Sequence, residues 1–478
     1  MPFSHEQLQQ RYGARYKWLV LLTLMIGSMA GIVSSTIVNV AIPDLSRHFI
    51  LGQERAQWVT AAFMLAMTLS MLLTPWLLQR YGLRRTYIAT LLMLMAGGLA
   101  GGFSVNYAML LAMRVLEGLA TGIIQPLPAI VILRVFEQQR QGRAMGMFGF
   151  GVVLAPAIGP SVGGFLVELF GWRSIFFAVV PMCLLALALT RYLLPVKSIF
   201  MGQTHRLDWK GLLLACAATV CFLNGLVGLR ADPASAALLL GLGLVAGAAF
   251  VAVQRRSEQP LLNLTLFGYR QFAMGALVSF IYGAGLFGST YLLPVYMQLA
   301  LGYTPSAAGL AMLPAGIVLA VAIWAAGRLT DRLPAHLMIS AGLALLALSF
   351  VLTAFVTLAT GLAILVLWII VGRIGLGLVM PALSIGAMRG VEFGLIAQGT
   401  SALNFLRQLG GSIGVSMTGI VLEWRMRAHH TSLSPEQGVD PAQRLLAFDE
   451  TFLLVAAICG IAMLAAWNMR PAARQPEK

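Results

Sequence analysis

Charge is scarce in this sequence. Of 478 residues only 10% are Asp, Glu, Lys or Arg, and the acids are outnumbered, 17 against 32 Lys and Arg. A soluble domain carries about 25% charged residues, so the composition excludes an ordinary soluble protein. Cysteine is nearly missing as well. The four, Cys183, Cys216, Cys221 and Cys459, have neither zinc-knuckle nor redox C-x-x-C spacing and read as small apolar residues. A nucleotide-binding loop, a metal-ligand cluster and a Ser/His/Asp set are all absent, which argues against an enzyme and against direct use of ATP. No cofactor or metal is expected, and the adjacent His429 and His430 cannot share a helix face as metal ligands would. Period-2 alternation is lacking too, which argues against a β-barrel.

What fills the chain is apolar: 59% of residues are hydrophobic and the mean hydropathy is +0.85. An α-helix needs about 20 apolar residues to cross about 30 Å of hydrocarbon. Fourteen runs qualify, over about 17–41, 56–78, 86–104, 107–133, 144–168, 174–194, 211–229, 236–254, 272–298, 306–327, 336–356, 361–385, 395–422 and 451–469. The first follows the polar start "MPFSHEQLQQRYGARYK" without an A-x-A cleavage pattern, and reads as a retained helix rather than a signal peptide.

A formal charge of +15 invites a nucleic-acid reading, but the placement of the basic residues decides against one. With both termini cytoplasmic, 22 of the 32 fall in cytoplasmic segments, 7 in external ones and 3 inside helices. That is the positive-inside bias of a multi-pass protein of the cytoplasmic (inner) membrane. Its clearest clusters are Arg80, Arg84 and Arg85; Arg134, Arg140 and Arg143; and Arg191, Lys197, Arg206 and Lys210.

The runs group as six helices over residues 1–195, cytoplasmic loops and two inserted helices over 196–270, and six more helices over 271–478. The halves carry a faint repeat. "RVLEGL" at Arg114 is echoed by "RIGLGL" at Arg373, and the loop "PWLLQRYGLRR" from Pro75 by "GRLTDRL" from Gly327. Repeated six-helix halves are the pattern of secondary transporters, whose substrate site lies near mid-membrane where the halves meet.

Read in order, "STIVNVAIPDL" (35–45), the loop at 75–85, "RVLEG" (114–118), "APAIGPSVGG" (155–164), "GWRSIFF" (171–177), "LDWKGLLL", "PLLNLTLF" and "NFLRQLGGSIGVS" form a series spanning nearly the whole chain. The series resembles the major facilitator superfamily, and within it the fourteen-helix drug:proton antiporters (EmrB/QacA-like). The resemblance implies an all-α integral membrane fold of two six-helix bundles plus two inserted helices. It also implies proton-coupled export of hydrophobic or amphipathic drugs by alternating access. Small-molecule substrate, protons and the lipid bilayer are the implied partners, with a periplasmic adaptor in a two-membrane bacterium.

Three positions depart from the family pattern. Ser34 stands where the family commonly has an Asp, two residues before Thr36. Pro75 and Gln79 replace the first Gly and the Asp of the loop motif, whose second copy keeps Gly327, Asp331 and Arg332. Glu117 replaces the usual Gln of R-x-x-Q-G. An acid is lost from the first helix and gained in the fourth.

Arg114, Glu117, Thr121 and Gln125 are three and four apart, on one helix face for about three turns. An unpaired charge at mid-bilayer costs roughly 2.5–3.5 kcal/mol on insertion scales, so the stripe is expected to face the central cavity. Burial and a neighbouring guanidinium pull a carboxyl's proton affinity in opposite directions, which suits Glu117 as a proton carrier that substrate can tip. A structural Arg–Glu pair is the alternative. By resemblance, Arg114 matches an arginine of the family's proton relay.

Other candidates follow from the same readings. Ser35 and Asn39, one turn apart, are the expected polar wall on the first helix, and Arg373 and Arg407 either serve structure or meet an anionic group of the substrate. Pro156, Gly159, Pro160, Gly163 and Gly164 predict a bent, closely packed fifth helix, which the family associates with antiport. Arg80, Gly82 and Arg84, with Gly327, Asp331 and Arg332, are the expected conformational loops. Two other functions stay open: an uncoupled or differently coupled carrier of amphipathic anions or lipid-like molecules, and a non-transporting sensor or scaffold.

Overall fold

The computed structural model describes residues 10–195, 206–229, 232–357, 360–429, 431 and 441–470. Lys197 and His430 lie outside them. Helix is nearly all there is, as the bilayer requires: without water, each backbone N–H and C=O must be satisfied within its own segment.

The helices are α1 (Tyr16–Phe49), α2 (Gln53–Ser70), α3 (Thr74–Gly102), α4 (Tyr107–Ile124), α5 (Leu127–Val135), α6 (Gln138–Phe170), α7 (Val179–Leu193), α8 (Trp209–Gly228), α9 (Pro233–Arg256), α10 (Arg270–Leu299), α11 (Pro305–Thr330), α12 (Ala335–Thr353), α13 (Leu362–Gly386), α14 (Ile396–Ala428) and α15 (Pro441–Trp467). Among the described residues thirteen helical stretches are long and apolar enough to cross a membrane. One of them, Arg55–Gly102, has 48 residues, about 72 Å at 1.5 Å per residue, and so crosses twice. Its turning point is Gly82, at φ 75° and ψ 170°, a backbone position that L side chains avoid. The fourteen expected crossings are thereby accounted for.

Several helices overrun their apolar runs. α14 continues to Ala428, and α15 starts at Pro441 rather than near 451, which puts Asp449 and Glu450 inside a helix. Like Glu117, both are acids within a helix long enough to cross the membrane.

In the first half α1 packs along α6 and α7, and α4 is held between α2 and α3. In the second, α10 runs along α14 and α13 along α11 and α12, around a continuous core from Leu262 to Met469. α8 and α9 pair with each other at the flank, touching α2 and α14. Gln254 of α9 ties this pair down, donating to Asp208 (2.6 Å) and accepting from the Leu262 amide (3.0 Å).

The halves meet chiefly through α6 and α11. Their contact is closest at the end that carries the basic loops, here called the basic end. A Cβ on Gly327 would lie 2.5 Å from the Gly142 carbonyl oxygen, so glycine is what lets these two backbones touch. Farther into the membrane Gln408 Nε2 reaches Met64 Sδ at 3.5 Å.

Candidate functional site

α4 begins where Asn106 accepts from the Met109 amide (2.8 Å), satisfying one of the N–H groups a helix start leaves free. Two turns on, its charged stripe is wholly buried: Arg114, Glu117 and Thr121 are each 0% exposed, and Gln125 is buried beyond them. Arg114 Nη1 donates to Glu117 Oε2 (2.7 Å), to Ser34 Oγ (3.2 Å) and to the Ser34 carbonyl (3.1 Å). Nε donates to the Val59 carbonyl (3.1 Å), and the guanidinium lies 4.3 Å from the Phe63 ring centroid, a cation–π contact.

Two atoms of the pair stay unpartnered, Arg114 Nη2 and Glu117 Oε1. The carboxylate has room because α3 presents Gly97 and Gly98 to it. A Cβ on Gly97 would meet Glu117 Cγ at 2.7 Å, and one on Gly98 would sit 3.5 Å from Oε1. Thr121 donates back to the Glu117 carbonyl (2.8 Å) and packs on Gly31 of α1.

The stripe therefore does not line the cavity between the halves, as the sequence reading expects. It points into the first bundle, at α1, α2 and α3. Helical periodicity selects the face, and the neighbour is chosen by which helices offer glycine and carbonyl oxygens there. Ser34 is the residue that sequence reasoning undervalued. The position that lost the family's acid and the position that gained one converge on a single nitrogen, Arg114 Nη1.

The other candidates disperse. Ser35 is buried and donates back to the Ile32 carbonyl (2.7 Å), whereas Asn39 is exposed and accepts from Thr60 (3.0 Å). Neither joins Arg114. Gly159 and Gly163 bring α6 against α1, where added Cβ atoms would lie 2.6 Å from Thr36 Oγ1 and from Ile37 Cγ1; Gly164 has more room and Pro156 is exposed. Of Pro160 the backbone alone is described.

The loop copies differ in what they hold. In the first, Arg80 lies over the Trp76 and Tyr81 rings and Arg84 donates to the Arg191 carbonyl (3.3 Å), all within one half. In the second, Asp331 reaches across the halves and accepts from the Gly142 (2.7 Å) and Arg143 (2.9 Å) amides near the start of α6. The positive end of that helix favours the carboxylate. Burial nevertheless pushes the Asp331 carboxyl above the usual aspartate range, outweighing its two amide donors. Arg332 adds no contact to this clamp among those described.

In the second half Arg373 (α13) is 6% exposed and Arg407 (α14) donates to Asn404 (2.5 Å). Arg407 and Asn404 border a small cavity of about 20 Å³, room for a water or two, lined also by Tyr282, Ser279, Thr400 and, from the first half, Ala129. Sequence reasoning had no signal for Tyr282, an aromatic among many.

The family model of the Major Facilitator Superfamily matches residues 24–415. The chain is 30% identical over 450 residues to a multidrug resistance protein B homolog of Mycobacterium tuberculosis (strain ATCC 25618 / H37Rv), covering 87% of this chain and 81% of that one. It is 28% identical over 429 residues to the lincomycin resistance protein LmrB of Listeria monocytogenes, covering 89% and 90%. In fold it is similar to the crystal structure of the human organic anion transporter MFSD10, with a TM-score of 0.69 at 14% identity, covering 94% of this chain and 99% of that one.

Proposed function

This chain belongs to the major facilitator superfamily, a multi-pass membrane transporter rather than an enzyme, and from that premise we propose that it is a proton-coupled exporter of hydrophobic and amphipathic compounds. The basic end is cytoplasmic, both termini with it, in the cytoplasmic membrane of the cell. Residues 1–195 and 271–478 act as the two rocking units, with 196–270 as an insert. Where a second membrane exists, a periplasmic adaptor is the expected partner.

The observation that carries the reading is Glu117. One carboxylate oxygen neutralises Arg114, and the other is sealed in the bundle with no partner, held open by two glycines. A proton added at Oε1 turns the pair into a net cation that must be compensated elsewhere. Loading and unloading that proton thus changes the balance of forces among α1 to α4. A membrane potential of about 100 mV contributes about 2.3 kcal/mol per charge moved. That sustains a gradient of roughly fiftyfold, at 1.4 kcal/mol per factor of ten. Closure at the basic end through Gly142, Gly327 and Asp331 supports alternating access, with this conformation shut toward the cytoplasm.

The test is ethidium efflux by purified protein in proteoliposomes under an imposed pH gradient. Wild type is expected to transport, and Glu117→Gln to bind ethidium but lose the response to the gradient. A variant that responds as well as wild type would make the pair structural. Wild-type efflux indifferent to a collapsed gradient would move the assignment to an uncoupled carrier.

A further inference from the structure

The second bundle holds two cations, Arg373 buried and Arg407 half-buried, with no acid paired to either among the described residues. Arg407 sits about a third of the way along α14 and its one hydrogen bond among those described goes to the neutral Asn404; Arg373 on α13 makes neither a hydrogen bond nor an ion pair among the described residues. The described acids of this half are committed elsewhere or far off. Glu423 pairs with Arg427 (2.7 Å), and Glu450 with Arg425 and His429. Asp331 holds the α6 amides, and Glu392 accepts from Tyr269 (3.3 Å). Glu423 is sixteen residues along the same helix from Arg407, about 24 Å at 1.5 Å per residue. Asp449 is one residue from Glu450, toward the same end of the bundle.

A guanidinium does not escape burial by losing its proton. Mid-membrane charges of this kind are expensive and pair with something. Tyr282, 2% exposed, borders the same cavity as Arg407 and is within electrostatic reach of both arginines. The cavity beside Arg407 adds Asn404 and Thr400, whose Oγ1 is buried with no partner. An uncompensated cation, an unpartnered hydroxyl and an aromatic wall at the boundary between the halves, with Arg373 as a second cation in electrostatic reach of that wall, make up a receptor for negative charge.

We propose that Arg407 and Arg373, with Tyr282, Asn404 and Thr400, bind the anionic headgroup of an amphipathic molecule, a carboxylate or sulfonate carried on an apolar body. This rests on the exporter reading and names its substrate class. The headgroup displaces the water-sized contents of the cavity and parts α14 from Ala129, so binding accompanies opening of the halves. The same chemistry is offered by an exported solute or by an anionic lipid.

The experiment is equilibrium binding of radiolabelled taurocholate, an amphipathic sulfonate, to the full-length protein in phosphatidylcholine nanodiscs. Wild type is expected to bind. Arg407→Gln and Arg373→Gln should each bind at least about tenfold more weakly while binding ethidium as wild type does, and Arg407→Lys should recover part of the loss. Phosphatidylglycerol in the discs separates the sources. If it competes with taurocholate in wild type, the occupant is a lipid; if it does not, the occupant is a solute, and the site stands in either case. The proposal fails if wild type does not bind taurocholate, if the glutamine variants bind it equally, or if they lose ethidium as well. Glu117→Gln is expected to keep taurocholate binding, so loss of pH-driven flux in that variant tests the exporter reading separately.

Discussion

Moving the acid back to the first helix tests the central geometry. Glu117→Gln alone removes the negative partner of a fully buried guanidinium. Breaking such a pair costs about 3–5 kcal/mol, toward the lower figure here because glutamine still offers Arg114 an amide oxygen. Ser34→Asp places a carboxylate at the other side-chain acceptor of Arg114 Nη1, where Ser34 Oγ now stands at 3.2 Å beside Glu117 Oε2 at 2.7 Å. In the double variant Arg114 regains one acid, as in the family pattern. Alone, Ser34→Asp crowds two acids around one cation and destabilises. The two changes should therefore compensate each other by roughly 2 kcal/mol, well above the 0.3–0.5 kcal/mol scatter of independent sites. The assay is a double-mutant cycle of unfolding free energies in mixed dodecylsulfate and maltoside micelles, with pH-driven ethidium flux measured on the same four proteins. Flux is expected to return in the double variant. If the energies simply add and flux stays lost, Ser34 and Glu117 do not share Arg114 as described, and the acid exchange between helices is refuted.

Gly327→Ala should fold but fail to close at the basic end, because its Cβ would meet the Gly142 carbonyl at 2.5 Å; transport should fall at least about tenfold, with normal expression and monodispersity. The raised proton affinity of Asp331 in the closed junction means that closure takes up a proton, so falling pH favours the closed form and rising pH through the closed-state value releases it. Spin-label distances between the basic ends of α6 and α11 should shift accordingly, and Asp331→Asn should flatten the pH dependence. Phe63→Ala removes a fully buried ring from beneath Arg114 and should cost about 3–5 kcal/mol in the same micelle unfolding assay, with Phe63→Leu recovering most of the packing but none of the cation–π contact.

Much of the fold was legible because it is written locally. Each apolar run announces a crossing, and Gly82 with its basic neighbours announces the turn between the second and third. The overruns were not legible, since the polar ends of α14 and α15 look like loop in composition and are held helical by pairing, Arg425 with Glu450 among them. At the candidate site the sequence displayed the stripe but not its address. Arg114 and Glu117 share a face by periodicity, yet whether that face meets the cavity or the bundle depends on Gly97, Gly98, Val59 and Ser34, which lie on three other helices. The Asp331 clamp was visible as a motif residue, and its partner was not, because that partner is backbone.

The flanking pair α8 and α9 has a consequence for how a solute dissolved in the lipid reaches the interior. Two lateral seams run between the halves, one along α6 and α11 and one along α2 and α14. Leu69 of α2, Leu72 in the turn just after it, Ala215 of α8 and Phe405 of α14 share one apolar cluster, so the second seam is roofed by the inserted helices. The first has no such roof among the described residues. On the exporter reading, a hydrophobic molecule leaving the bilayer would meet a one-sided transporter: its unroofed way in lies beside α6 and α11 once their contact parts, and on the other side it would first have to lift two helices out of its way.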